Sequence, residues 1–185
     1  MTAQGPVLAI PEPCLIVLVG AAGAGKTTLA ARLFGPGEVL SSDAYRGVIA
    51  GDEADQTVTR SAFRLLHRDL ERRLAERRTT VVDATSVTPF ARRALTRIAA
   101  RQGVPAVAIV LDLPPELVLA RNATRPGRIV PEAAVRRQLA DLDRSLRRAA
   151  LETEGFLATC LLRETGEVES LQLLPVDRPV ARAGA

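Results

Sequence analysis

The chain has 185 residues, 47% of them apolar and 25% charged, which is ordinary globular composition and fits one domain with room for a sizeable core. Its net charge of +4 and pI near 10.0 permit an anionic partner such as nucleic acid without demanding one. Two cysteines without ligand spacing, Cys14 and Cys160, and a single histidine exclude a zinc site of the usual N/S kind, and both thiols read as small buried apolar groups. No basic residue precedes Lys26, and the longest apolar run, Cys14 to Ala24, is too short to span a bilayer. A cytoplasmic protein with no membrane partner is expected.

In chain order, residues 1–13 are Pro-rich and read as irregular. Leu15 to Val19 is a continuous apolar run expected to form a strand buried on both faces. A helix from Lys26 to Phe34 is stopped by Gly35-Pro36-Gly37, and Val39 to Asp43 reads as a second short strand ending in a carboxylate. A long helix is expected over about 55–78, with Val58, Ala62, Leu66, Leu70 and Leu74 inward and the arginines outward. Thr80 to Asp83 is a third strand, Thr88-Pro89 an N-cap and first helical position, and the helix they open runs to about Gln102. Ala106 to Leu113 is a fourth strand, with Asp112 read as the cap of a short helix at Pro114-Pro115-Glu116. Pro131-Glu132 begins a helix striped by Val135, Leu139, Leu142 and Leu146, and Phe156 to Leu162 and Val168 to Leu174 supply the last strands.

Strands alternating with helices, and no hairpin turn between the first four, argue for parallel βαβ units covered on both faces. Such sheets bind ligands beyond the carboxyl ends of their strands, where Gly20, Asp43, Asp83 and Asp112 fall.

The chain has one lysine against twenty-four arginines, and that lysine lies in Gly20-Ala21-Ala22-Gly23-Ala24-Gly25-Lys26-Thr27. The pattern G-x-x-x-x-G-K-[ST] between an apolar strand and a helix is a P-loop in its confirming context. Backbone N–H groups converge there on phosphate oxygens, helped by the positive end of the helix. Lys26 is expected on the β- and γ-phosphates, the Thr27 hydroxyl on Mg²⁺, and Thr28 near the α-phosphate. The glycine spacing excludes a dinucleotide fingerprint.

A P-loop says nothing of the acceptor, which directs attention to Ser41-Ser42-Asp43-Ala44-Tyr45-Arg46. A carboxylate at a strand tip facing the γ-phosphate can take the proton of an attacking hydroxyl, and an arginine three residues on can hold an acceptor phosphate; the plain alternative for Asp43 is an N-cap. Arg121 and Arg125, spaced i, i+4 on the expected helix, lead into Arg125-Pro126-Gly127-Arg128 and read as a lid over the polyphosphate, with Arg128 reaching the acceptor; the alternative is a solvated basic face. The D-E-A-D at 52–55 lacks the preceding strand of a helicase motif, and His67 reads as a packed or solvent-side residue of the long helix rather than a catalytic one.

Several blocks in order resemble the kinase domain of bacterial polynucleotide kinase-phosphatases. They are the P-loop, V-L-S-S-D-A-Y-R-G at 39–47, D-E-A-D-Q at 52–56, L-L-H at 65–67, V-V-D-A-T-S at 81–86, A-I-V-L-D-L-P at 108–114, R-N-x-x-R at 121–125 and V-R-R-Q at 135–138. The resemblance implies a kinase-type P-loop NTPase fold, a three-layer α/β/α sandwich with a mainly parallel central sheet and a helical lid. It implies ATP and Mg²⁺, and transfer of the γ-phosphate to a 5′-hydroxyl end of DNA or RNA. Asp43 would be the base, Arg46 would hold the acceptor's phosphate, Arg121 and Arg125 would clamp the donor, and Tyr45, Asp83, Thr85 and Ser86 would line the acceptor side. For Asp83 the reading as a carboxylate reaching the metal through water stays open. The pattern departs at Gly127, where an acid is expected, and at Ala133-Ala134, where bulkier residues are expected; both bear on the acceptor. The expected organisation is a kinase domain over 14–175 with its lid at about 121–137 and a tail over 176–185. Phosphatase and ligase steps would fall to separate proteins. The competing readings are a kinase of a small hydroxylated molecule, such as a nucleoside, sugar or antibiotic, and a nucleotide-binding regulatory module.

Overall fold

The computed structural model describes residues 5–51, 59–126, 129–148 and 150–177. Its first strands in the chain are β1 (Val7–Glu12), β2 (Leu15–Val19), β3 (Val39–Ser41), β4 (Thr80–Asp83) and β5 (Ala106–Leu111), followed by β6 (Ala158–Leu162) and β7 (Gln172–Asp177). Five of them form one parallel sheet in the order β3-β4-β2-β5-β6. Every residue of β2, β4 and β5 is buried, which is why these segments read as unbroken apolar runs rather than alternating ones.

The helices are α1 (Lys26–Leu33), α2 (Ser42–Ala50), α3 (Thr59–Ala75), α4 (Pro89–Arg101), α5 (Pro115–Ala123), α6 (Glu132–Arg147) and α7 (Thr165–Ser170). Alternate residues of the sheet point to opposite faces and build two cores. Ile16, Leu18, Val107 and Ile109 pack with Leu29 of α1 and Val118 of α5. Leu15, Val17, Ala108 and Val110 pack with Leu66 and Leu70 of α3 and Leu95 of α4. The result is the expected three-layer α/β/α sandwich of a kinase-type P-loop NTPase.

Several local expectations are corrected. The strand at 39–43 stops at Ser41, whose hydroxyl accepts from Ala44 N at 3.4 Å and caps α2, so Asp43 sits in the first turn of a helix and not on a strand tip. Among the described residues the long helix runs from Thr59 to Ala75, and Arg77 has already turned to a φ of 58°; the expected inward residue Val58 and the acids at 52–56 lie outside the described residues. The segment 1–13 is not irregular throughout, because β1 pairs in parallel with β7, in register Val7↔Gln172, and buries Leu8 and Ile10. The strand expected over 168–174 is instead the end of α7 followed by β7, since Glu164 and Glu167 make reciprocal cap bonds that start a helix. Strand β7 also carries regular structure to Asp177, into the expected tail.

Asp112 does not cap α5. Pro114 occupies that position without a side-chain bond, and the Asp112 carboxylate accepts from Arg163 Nε at 3.4 Å. Thr88 does cap α4, accepting from Ala91 N at 3.3 Å ahead of Pro89. Cys14 is fully buried, and burial pushes its thiol up to about 12. No cluster of three metal-ligating side chains occurs among the described residues, and no helix there is long and apolar enough to cross a membrane.

Candidate active site

The P-loop lies between β2 and α1, and its conformation depends on glycine. Gly23 has a φ of 88°, and a Cβ on it would lie 2.4 Å from the Val118 carbonyl of α5. Gly25 adopts a left-handed conformation as the N-cap of α1. Lys26 is 8% exposed and its Nζ donates to the carbonyls of Gly20 at 2.9 Å and Ala21 at 2.8 Å, folded back over the loop. Ala21 and Ala24 are buried, Ala22 offers its N–H, and Thr28 faces the larger of two cavities.

That larger cavity, about 630 Å³, is bordered by Gly25, Lys26, Thr28, Arg121, Arg125 and Thr165. Arg121 donates to Thr165 Oγ1 at 3.3 Å, linking α5 to α7, and Arg32 of α1 holds the far end of α7 through the Val168 and Leu171 carbonyls at 2.7 and 3.1 Å. A smaller cavity of about 40 Å³ brings together Lys26, Thr27, Asp43, Asp83, Thr85 and Arg125. Arg125 therefore borders both. It is not on the same helix as Arg121: α5 ends at Ala123, and Arg125 stands in the turn beyond, with its N–H on Asn122 O at 3.4 Å. Residues 127 and 128, and with them the expected acceptor contact of Arg128, lie outside the described residues.

Thr27 Oγ1 donates to Asp83 Oδ2 at 2.8 Å. A threonine hydroxyl at the head of α1, backed by a buried carboxylate from the neighbouring strand, is a donor set that suits Mg²⁺, a hard cation bound through few protein oxygens. Asp43 pairs with Arg46, which is 4% exposed. Tyr45 turns away from the cavity: its hydroxyl donates to Asp69 on α3 at 2.6 Å, and burial together with that carboxylate pushes the phenol up to about 12. Ser86, 6% exposed with a φ of 46°, borders neither cavity, whereas Thr85 borders the smaller one and accepts from Gly20 N at 3.1 Å.

Three contributions escape the sequence reading. Gln138 of α6 accepts from Ala22 N at 2.8 Å and borders the small cavity, so α6 reaches over the P-loop; its only signal in the sequence is the V-R-R-Q block. Asn122 holds Val130 by both its main-chain groups, Nδ2 to O at 2.8 Å and Oδ1 from N at 3.2 Å. Arg92 of α4 is completely buried. It donates to Ser86 O and Val87 O at 3.0 and 2.7 Å and makes a two-pronged pair with Glu154, at 2.6 and 2.9 Å. The turn after β4 is thereby fixed from beneath.

Fold and site together define a P-loop enzyme of the kinase type. The chain belongs to the AAA domain family AAA_33, whose model matches residues 15–148. No curated protein matches it. Among solved structures it resembles a chain of the Pnkp1/Rnl/Hen1 RNA repair complex, at 15% identity and TM-score 0.60, over 94% of this chain and 82% of that one. It also resembles a gluconokinase from Sinorhizobium meliloti 1021, at 19% identity and TM-score 0.52, covering 86% and 87% of the two chains. Shikimate kinase from Acinetobacter baumannii, in complex with shikimate, is similar at 24% identity and TM-score 0.50, covering 85% and 88%. These likenesses establish the fold.

Proposed function

We propose that the protein is an ATP-dependent kinase that moves the γ-phosphate to the 5′-hydroxyl end of DNA or RNA. The observation that carries the transfer chemistry is the small cavity in which Asp43 faces Lys26, Thr27 and Asp83. At about 40 Å³ it has room for a few water-sized groups, which suits a terminal hydroxyl whose parent molecule stays outside. The polynucleotide acceptor rests on the ordered blocks from Val39 to Gln138 that resemble 5′-hydroxyl kinases, and the likeness to a chain of an RNA repair complex agrees with that reading.

In this reading Asp43 takes the proton of the attacking hydroxyl while Arg46 fixes its carboxylate. The resemblance also gives Arg46 the phosphate on the 3′ side of the acceptor; buried at 4% exposure and bordering neither cavity, its side chain would have to move to reach it. The new bond joins the acceptor oxygen to the γ-phosphorus, the bond to the β–γ bridging oxygen breaks, and the electron pair leaves with ADP. Lys26 exchanges its two carbonyl partners for phosphate oxygens, and Arg121 and Arg125 close on the donor from the α5 side. Bound Mg²⁺ would neutralise polyphosphate charge, with the Thr27 hydroxyl as its holder and Asp83 behind it through water.

The test is transfer of labelled γ-phosphate to 5′-hydroxyl and 5′-phosphate oligonucleotides, free nucleosides and sugars. Label on 5′-hydroxyl oligonucleotides is the expected result. Label on a nucleoside or sugar alone overturns the acceptor, and ATP binding with transfer to none of them overturns the polynucleotide acceptor and favours a regulatory module.

A further inference from the structure

The outer faces of α3 and α4 carry a basic surface that the chemistry described so far does not use. On α3, Arg60, Arg64 and Arg68 are exposed at four-residue intervals, about 6 Å of helix rise each, opposite the buried Leu66 and Leu70. Like charges four apart destabilise a helix, so such a row is costly unless an anion lies along it. Among the described residues, none of the three has an acidic partner; Arg64 donates to Ser61 Oγ at 3.0 Å. On α4, Phe90, Arg93 and Arg97 share one exposed stripe, Phe90 being 86% exposed, and neither arginine has an acidic partner there. An ion pair between Arg101 and Glu71 at 3.2 Å joins the two rows into one face.

Arginine abundance alone does not explain this. On α6, Arg136 pairs with Glu132 at 2.8 Å, Arg144 with Asp141 at 3.2 Å, and Arg147 with Asp143. Of the four arginines on α6 only Arg137 has no acidic partner among the described residues, whereas on α3 and α4 five exposed arginines have none and an aromatic ring is set among them. The face also begins at the site. Helix α4 starts four residues after Thr85, which borders the small cavity, and the Arg101–Glu71 pair sets α3 beside it.

Resting on the polynucleotide reading of the acceptor, we propose that this face carries the single strand extending 3′ from the reacting nucleotide. Arg60, Arg64, Arg68, Arg93 and Arg97 lie on its phosphates and Phe90 lies under one of its bases. Guanidinium groups along a backbone with an aromatic platform are the ordinary chemistry of sequence-tolerant single-strand binding, and the polynucleotide acceptor already brings such a strand to this molecule.

The test uses the full chain and a fluorescent 5′-hydroxyl deoxythymidine strand of about 12 nucleotides, with binding followed by anisotropy over a salt series. The triple variant Arg60→Gln/Arg64→Gln/Arg68→Gln should flatten the slope of log affinity against log salt by about 2, three contacts at about 0.7 each. Phe90→Ala should weaken binding about tenfold at an unchanged slope. Both variants should retain wild-type phosphoryl transfer to a 5′-hydroxyl dinucleotide, which is too short to reach the face. Strand binding that is absent in the wild type, or identical in wild type and variants, overturns the surface. So does loss, in the triple variant, of binding to phosphatidylserine vesicles or polyglutamate without loss on the strand. Failure of the acceptor reading shows separately, as absent transfer to the dinucleotide by the wild type.

Discussion

Removing Glu154 should cost far more than its distance from the chemistry suggests. The Arg92–Glu154 pair has both side chains at 0% exposure, and Arg92 alone satisfies the Ser86 carbonyl and shares the Val87 carbonyl with Ser145 Oγ, which donates at 3.1 Å. Glu154→Leu strands a buried guanidinium, a change worth about 3–5 kcal/mol. For a chain of this length that corresponds to a fall of about 6 to 20 °C in Tm. Arg92→Met strands the carboxylate instead and also orphans the Ser86 carbonyl, so its cost should be at least as large. The double variant Arg92→Met/Glu154→Leu removes both charges and leaves only that carbonyl unsatisfied, about 1–3 kcal/mol. Urea unfolding of the four proteins closes a double-mutant cycle, and the double variant should be more stable than either single variant. Single variants within about 1 kcal/mol of wild type, or costs that simply add, would refute the reasoning.

Three further expectations follow from the site and its surroundings. Asp43→Asn should lower phosphoryl transfer by about 10²–10⁴-fold while ATP affinity, read by calorimetry, stays near wild type; a fully active variant removes Asp43 as base. Gln138→Glu places a carboxylate against the P-loop at Ala22, so ATP affinity should fall about tenfold or more while Tm barely moves, and unchanged affinity would separate α6 from the phosphate site. His67 lies against Phe63, ring centroids 6.0 Å apart, and burial lowers its pKa below the usual 6.5. A lowered imidazole pKa means the unfolded chain binds the proton more readily. Its contribution is therefore complete above pH 6.5 and is lost as pH falls below it. Urea midpoints of His67→Gln should fall less between pH 7.5 and 5 than those of wild type, and parallel declines would contradict this.

The parts legible in the sequence are those whose cause is local. Leu15 to Val19 and Ala106 to Leu111 announce buried parallel strands by being apolar at every position, and the glycines around Lys26 announce the turn they permit. The sequence draws attention to Asp43, which borders the small cavity, but its element is not legible, because a serine hydroxyl decides the boundary: Ser41 caps a helix of which β-favouring Val39 and Leu40 give no hint. Arg125 reads as helical because its spacing from Arg121 fits a helix, although Pro126 follows it and α5 ends sooner. Gln138 and Arg92 acquire their partners only through tertiary packing across long stretches of chain, and nothing in the sequence marks Arg92 among twenty-four arginines as completely buried.

The parallel ladder of β1 and β7 has a consequence for the order in which the molecule is completed. Val7 finds Gln172 only after all the strands of the main sheet have been made, and α7, which immediately precedes β7, supplies Thr165 to the wall of the larger cavity. During synthesis the P-loop and its first helix emerge before the wall to which Arg121 bonds, and contacts this distant in sequence are slow to close. A nascent chain can therefore assemble its phosphate cradle well before it possesses a complete nucleotide chamber.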